Sequence, residues 1–369
     1  MLYIILSIVL VLSLGIFLFM QSPAFGRRPG KARKSAFSKL DNYKNGAFQN
    51  AEHTPPFAEG VTYTKVLRDF IFQKNPMKVP PSVLPSKKTD LHALRPDENV
   101  IVWFGHSSYF MQVDGKRILI DPVFSGNASP LPNTMRSFPG ADIYTVNDMP
   151  EVDMLLLTHD HWDHLDHATV VALRPKVKHI YTGLGVGEHL EAWGFPTSMI
   201  TERNWHEHIR VGEGFELITA PARHFSGRTF ARNISLWLSF VLITPKRKIY
   251  IGGDSGYGTH FKNIGQKYGP FDLVILECGQ YNPNWRYIHM LPDEVVPAAQ
   301  DLNAKHLMIV HWAKFPLSFH NWNEPAIKVS AYAEEAQLPL VMPMIGGRVS
   351  LDDLNKSWDA WWLMPEVKS

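Results

Sequence analysis

Four side chains able to bind a metal stand at positions 159–164: His159, His161, Asp163 and His164, in the run Thr158-His159-Asp160-His161-Trp162-Asp163-His164. Imidazoles with a carboxylate suit zinc better than magnesium or calcium, which prefer oxygen ligands alone. On an extended segment His159 and His161 face the same way, and Asp163 and His164, just past the bend, reach a second position nearby. Four ligands are too many for one catalytic metal that keeps an open position, so the spacing points to two metals completed from elsewhere in the chain.

The completing residues arrive in one pattern. Phe215–Arg223 leads to His224, Lys248–Gly253 leads to Asp254, and Leu307–Val310 leads to His311. Each is a β-rich apolar stretch with a ligand-type residue at or just after its end, as Leu155–Leu157 is for the first cluster. Strands of one core place their ends on a common rim, so residues far apart in sequence can converge there.

The elements that must hold them read as strands from Val100 onward. Val100–Phe104 is a buried run, and Tyr109–Val113 and Ile118–Ile120 flank Asp114-Gly115, a hairpin signal. Asp121-Pro122 ends the second arm. Asp121 and His106 are candidates to orient metal ligands, and Asp121 reads equally as a residue that closes a turn. His167–Leu173 begins a helix, and Gly183–Gly187 is a tight turn after the strand His179–Thr182. His206 and His208 read as a solvated loop, and His306 and His320 as surface or packing residues. Trp285, Trp312 and Trp322 either line a lipid groove or belong to the core.

At 369 residues, 45% apolar and 20% charged, the chain can build a full core. A formal net charge of +2 argues against a general nucleic-acid-binding surface. The single cysteine, Cys278, excludes an intrachain disulfide and reads as a buried structural thiol. Residues 1–20 are almost wholly apolar and long enough to span a bilayer. Arg27, Arg28, Lys31, Arg33 and Lys34 follow, which places the C-terminal side in the cytoplasm and suits anionic headgroups. A cleaved signal is the alternative. The expected organisation is a single-pass anchor (1–21), a basic tether and extension lying against the body (22–97), and a catalytic body (98–369). Pro80, Pro81 and Pro85 discourage a long helix in the tether.

Several segments carry a family resemblance over about residues 98–350. They are Trp103-Phe104-Gly105-His106, Ile120–Ser125, the 159–164 cluster, Gly253–Tyr257, Tyr268–Leu273, Tyr281–Trp285 and His311-Trp312. They resemble the metallo-β-lactamase superfold, and more closely the N-acyl-phosphatidylethanolamine-hydrolysing phospholipase D family. Phe25-Gly26-Arg27 and Asn45–Asn50 look like its bacterial members.

The resemblance implies an α/β fold, a four-layer αββα sandwich with the metals at one edge of the paired sheets. It implies two zinc ions per chain: His159, His161 and His224 on one, Asp163, His164 and His311 on the other, and Asp254 bridging. Asp163, Asp254 and His289 become the catalytic candidates, with Trp162 and His289 at the substrate; His289 also reads as a packing residue at a helix start. The implied reaction is attack of a metal-bridging hydroxide on the phosphodiester of an N-acyl-phosphatidylethanolamine, giving an N-acylethanolamine and phosphatidic acid. The implied partners are a phospholipid and the membrane, and a homodimer is compatible with this. Two departures border the site: Ala313-Lys314 after His311-Trp312, and Leu276-Glu277-Cys278-Gly279-Gln280 where the mammalian-type sequence is more apolar. A hydrolase of the same fold acting on a lactone or a soluble phosphodiester, and a non-catalytic membrane protein with a structural metal, are the competing expectations.

Overall fold

The computed structural model describes residues 1–212 and 214–363; residues 364–369 of the expected body lie outside the described residues. In chain order the elements before the body are α1 (Leu2–Phe19), α2 (Lys31–Phe37), a short ladder of β1 (Tyr43–Lys44) and β2 (Ala47–Phe48), and α3 (Tyr63–Phe72). The body follows with β3 (Val100–Trp103), β4 (Tyr109–Val113), β5 (Lys116–Ile120), β6 (Val152–Leu157), α4 (His167–Leu173), β7 (Val177–Gly183), α5 (Gly187–Ala192) and β8 (Ile200–Arg203). Next come β9 (His208–Gly212), β10 (Phe215–Ala220), β11 (Ser239–Ile243), β12 (Lys248–Ile251), α6 (Thr259–Tyr268) and β13 (Leu273–Glu277). The last are α7 (Pro292–Asp301), β14 (Leu307–Val310), α8 (Glu324–Glu335), β15 (Leu340–Val341) and β16 (Arg348–Ser350).

Two seven-stranded sheets result, ordered β16-β3-β4-β5-β6-β7-β8 and β15-β14-β13-β12-β11-β10-β9. Period-two alternation assigns the faces. In β3, Val100 and Val102 pack with Leu173 of α4 and Leu190 of α5, whereas Ile101 and Trp103 join the core that also holds the second sheet. Leu155 and Leu157 of β6 take the helix side, and Met154 and Leu156 the other. Phe261 of α6, Val295 of α7 and Val329 of α8 close the outer face of the second sheet. The layers are therefore helix, sheet, sheet, helix, as expected for αββα. Asp114 and Gly115 both take positive φ in the β4–β5 turn, the geometry that Asp-Gly favours in a two-residue hairpin.

Two local expectations change, and one open alternative is decided. His208 is not in a loop; it opens edge strand β9, and its ring contacts Glu216 at 2.8 Å across the ladder. Residues 63–72, within the tether where no long helix is expected, form a ten-residue helix, started by the Thr62 hydroxyl accepting from Lys65 N and ended before Pro76. Trp312 and Trp322 are core residues, whereas Trp285 faces a cavity.

α1 is 18 residues long and none of them is buried against the body. At 1.5 Å per residue its length is about 27 Å, close to a bilayer's hydrocarbon thickness. The extension after it lies against the body: Trp193 Nε1 donates to Pro23 O at 2.7 Å, and Asn50 Nδ2 to His224 O at 2.8 Å.

Candidate metal centre

The residues that leave the strand ends meet on one rim. His159, His161, Asp163 and His164 leave β6, His224 follows β10, Asp254 follows β12 and His311 follows β14. They form two donor sets. One joins His159, His161, His224 and Asp254; the other joins Asp163, His164 and His311, with His106 as a fourth member. Asp254 stands between them: its Oδ2 is 3.8 Å from His159 Nε2, 3.7 Å from His224 Nε2 and 3.1 Å from His164 Nε2, and its Oδ1 is 3.2 Å from His311 Nδ1.

The donor chemistry fits cations. His161 Nδ1 lies 2.9 Å from His159 Nε2 and 3.2 Å from His224 Nε2. Burial holds the His159, His224 and His311 rings well below the ordinary histidine pKa and lowers His161 to about 4. Neutral rings present lone pairs, and lone pairs gathered in one buried space call for a positive charge between them. His164 Nε2 and Asp254 Oδ1 are buried with no hydrogen-bond partner among the described residues, although buried polar atoms are nearly always satisfied.

The opposite ring edges are fixed by neighbours. His224 Nδ1 donates to Ile288 O at 2.8 Å, His164 Nδ1 pairs with Asp121 Oδ2 at 2.8 Å, and His159 Nδ1 lies 3.0 Å from Thr158 Oγ1. Asp121 also accepts from Thr158 N and Oγ1, so it orients two parts of the cluster and does more than close a turn. His106 Nε2 lies 2.9 Å from Asp163 Oδ2 and its ring 4.0 Å from that of His311. It sits among the donors, nearer than an orienting residue needs to be.

Above the donors opens a cavity of about 360 Å³. His161, Asp163, His224, Asp254, His289 and His311 make its floor, and Phe57, Val66, Phe70, Trp285, Ile288 and Leu317 its apolar wall. His289 is brought to the site: its ring is 4.9 Å from His224 and 5.3 Å from His311. Its Nδ1 contacts Glu277 Oε1 at 3.3 Å, and the same oxygen accepts from Met290 N at 2.9 Å. Burial raises the Glu277 carboxyl above its usual range. The sequence pattern held the signal for Glu277, which ends the apolar strand between those that deliver Asp254 and His311.

Trp162 is not brought to the cavity. Its ring meets Phe25 edge-on at 5.0 Å and lies 3.9 Å from the Arg228 guanidinium. Arg228 is itself a residue that local patterning misses. It is buried, donates to Asp160 O and Leu165 O on the metal loop, and donates to Ala24 O on the segment after α1. Asp160 is enclosed by Ser235 Oγ at 2.6 Å, Gly227 N at 2.7 Å and His189 Nε2 at 3.2 Å, which fixes the loop between His159 and His161.

Comparison with known proteins agrees with this architecture. A family model described as a beta-lactamase superfamily domain matches residues 116–312. An uncharacterized protein of Mycobacterium tuberculosis is 36% identical over 314 residues, covering 84% of each chain. An N-acyl-phosphatidylethanolamine-hydrolyzing phospholipase D of Caenorhabditis elegans is 30% identical over 264 residues, covering 63% of this chain and 72% of that one. Among solved structures, a metallo hydrolase of Ignicoccus hospitalis superposes with a TM-score of 0.54 at 22% identity, covering 68% of this chain and 97% of the other. With its paired sheets, its strand-end histidines and a match over more than half its length, the chain belongs to the metallo-β-lactamase superfamily and is a metal-dependent hydrolase.

Proposed function

We propose that the protein is a zinc-dependent phosphodiesterase of the phospholipase D type, a bacterial-type relative of the N-acyl-phosphatidylethanolamine-hydrolysing enzymes. It would cleave N-acyl-phosphatidylethanolamine to an N-acylethanolamine and phosphatidic acid. The observation that carries this is the cavity: a floor of two donor sets sharing Asp254, below a wall of Phe57, Val66, Phe70, Trp285, Ile288 and Leu317. A polar phosphodiester with acyl chains matches that division, and a soluble cyclic or sugar phosphate leaves the apolar wall in water. The name of the Caenorhabditis elegans relative supports the same substrate.

His159, His161 and His224 are assigned to one ion, and Asp163, His164 and His311 to the other. Divalent cations held by these residues would supply Lewis-acid stabilisation of phosphoryl charge and would activate a water. Asp254 fixes the spacing of the two halves. Thr158, Asp121 and Ile288 O hold the imidazoles so that little rearrangement is needed. With Nδ1 engaged by Glu277, His289 keeps Nε2 to carry a proton to the departing alcohol. The apolar wall seats acyl chains and excludes water. In this reading residues 1–21 are a single-pass anchor, 22–97 an extension and 98–369 the hydrolase, held on the cytoplasmic face.

The test is a lipid-product assay on purified full-length protein, zinc-loaded or chelated, with metal content measured alongside. About two ions per chain and chelator-sensitive release of N-acylethanolamine are expected. Metal-replete protein that opens lactones or soluble phosphodiesters but releases no N-acylethanolamine would overturn the assignment.

A further inference from the structure

α3 is apolar on two sides, and the chain covers only one. Val66 is buried, and Phe70 packs on Trp285 and Phe319 with ring centroids 6.0 and 4.7 Å apart. Tyr63, Leu67 and Ile71, at i, i+4 and i+8, form an outward stripe, and Ile71 is 62% exposed. A second apolar tip is Phe230, 84% exposed, in the loop after His224.

These features share one face. Arg232, two residues after Phe230, lies beside the Tyr63 side chain and lines the cavity together with Phe70. On the other flank Arg28 Nη2 donates to Thr229 Oγ1 at 3.2 Å. Arg28 belongs to the segment that follows α1, and this segment is fastened to the body. Phe25 packs on Phe19 of α1 at 5.2 Å and on Trp162 at 5.0 Å, and Arg228 holds Ala24 O. The end of α1, Phe230, the stripe of α3 and the cavity mouth thus form one continuous surface. Arg28 and Arg232 flank it, and Lys65, Arg68 and Lys74 lie on or just after α3, where Lys65 and Arg68 share Asp69 at 2.7 and 3.9 Å.

We propose that this face docks on an anionic phospholipid bilayer, with Leu67, Ile71 and Phe230 inserted below the headgroups and the cavity mouth opening onto the lipid. Exposed apolar tips interleaved with cations match an interface that is apolar within and anionic at its surface. The fastening of the segment after α1 favours a bilayer over a protein partner, because it holds the body within a few residues of a helix of membrane-spanning length. Docking itself stands apart from the substrate; delivery of lipid to the cavity rests on the reading given under Proposed function.

The experiment uses full-length protein in vesicles of phosphatidylcholine with phosphatidylglycerol. Nitroxide labels are attached to Leu67→Cys, Ile71→Cys and Phe230→Cys, with Lys246→Cys, an exposed site in the β11–β12 turn at the opposite rim, as control. The native Cys278 is fully buried and does not compete. At the three test sites, oxygen should reach the label several-fold more readily than a water-soluble nickel chelate does, and the control should show the reverse. Control-like behaviour at all three sites overturns the proposal. Exclusion of both reagents also overturns it, since a second copy of the chain would then cover the face. As a second readout, the pair Leu67→Asp and Phe230→Asp should raise KM for vesicle-embedded substrate and leave turnover of a monomeric short-chain phosphodiester unchanged; equal effects on both would overturn the docking role. Labels that insert in protein releasing no N-acylethanolamine would retain the docking face and sink the substrate instead.

Discussion

The Asp121 carboxylate holds the His164 imidazole by its Nδ1 edge at 2.8 Å, from a strand end 43 residues away in sequence. The same carboxylate accepts from Thr158, the residue before His159, so one buried acid aligns both halves of the donor cluster. Asp121→Asn keeps the shape and removes the charge. It is expected to cost about 10–100-fold in metal affinity or activity with the fold intact. Competition with a zinc chelator, paired with circular dichroism, measures this; unchanged affinity would remove Asp121 from the site.

His289 lies near Asp254 and His311 and is a candidate donor as well as a proton carrier. The two roles separate experimentally. His289→Ala should lower kcat by about 10²-fold or more while leaving metal content unchanged. Glu277→Leu should shift kcat in the same direction, because it frees the His289 ring. A fall in bound metal in the His289 variant would make it a ligand instead.

Arg228 ties the segment after α1 to the metal loop. Arg228→Leu strands the Asp160 and Leu165 carbonyls, each worth about 1–3 kcal/mol when buried and unpaired. A lower Tm together with weaker zinc retention is expected, with partial recovery in Arg228→Lys. A lower Tm with normal zinc retention would limit Arg228 to packing.

Gly26 tests the same strap from the other side. Its φ is +67°, and an added Cβ would fall 2.0 Å from His189 Nδ1, the atom that accepts from Arg27 N. Gly26→Ala should cost about 1–2 kcal/mol from backbone handedness alone and should speed proteolysis within residues 23–30. Cleavage at the wild-type rate would show that the strap is not held there.

His260 gives a pH signature outside the donor cluster. Its ring contacts Ser255 Oγ at 3.0 Å, and burial lowers its pKa to about 4, against about 6.5 for an unfolded chain. Between those values the unfolded state binds the proton and the folded state does not. Stability should therefore fall as pH drops from about 6.5 toward 4, by up to about 1.4 kcal/mol per pH unit for this group, and then level off. His260→Gln should flatten that slope in denaturant titrations; an unchanged slope would place the titration elsewhere.

Much of the centre was legible because its signals are local. Ligand-type residues follow apolar runs at the ends of β6, β10, β12 and β14, and the run Val100–Phe104 marks a buried strand, although which of its faces meets the second sheet is not written in a run apolar at every position. Asp114-Gly115 encodes its own turn, and the apolar run at 2–19 encodes its own helix. These features depend on neighbours in sequence, so spacing reveals them. What the tertiary structure alone decided depends on contacts between distant residues. Trp162 lies within the metal motif, yet Phe25 and Arg228, 137 and 66 positions away by number, hold its ring outside the cavity. His289 reaches the site because Glu277 sits at the end of β13, and α3 becomes the cavity wall because Val66 and Phe70 find Trp285 and Phe319. No periodicity records such pairings, since each is fixed by where two sheets and a returning N-terminal segment come to rest against one another.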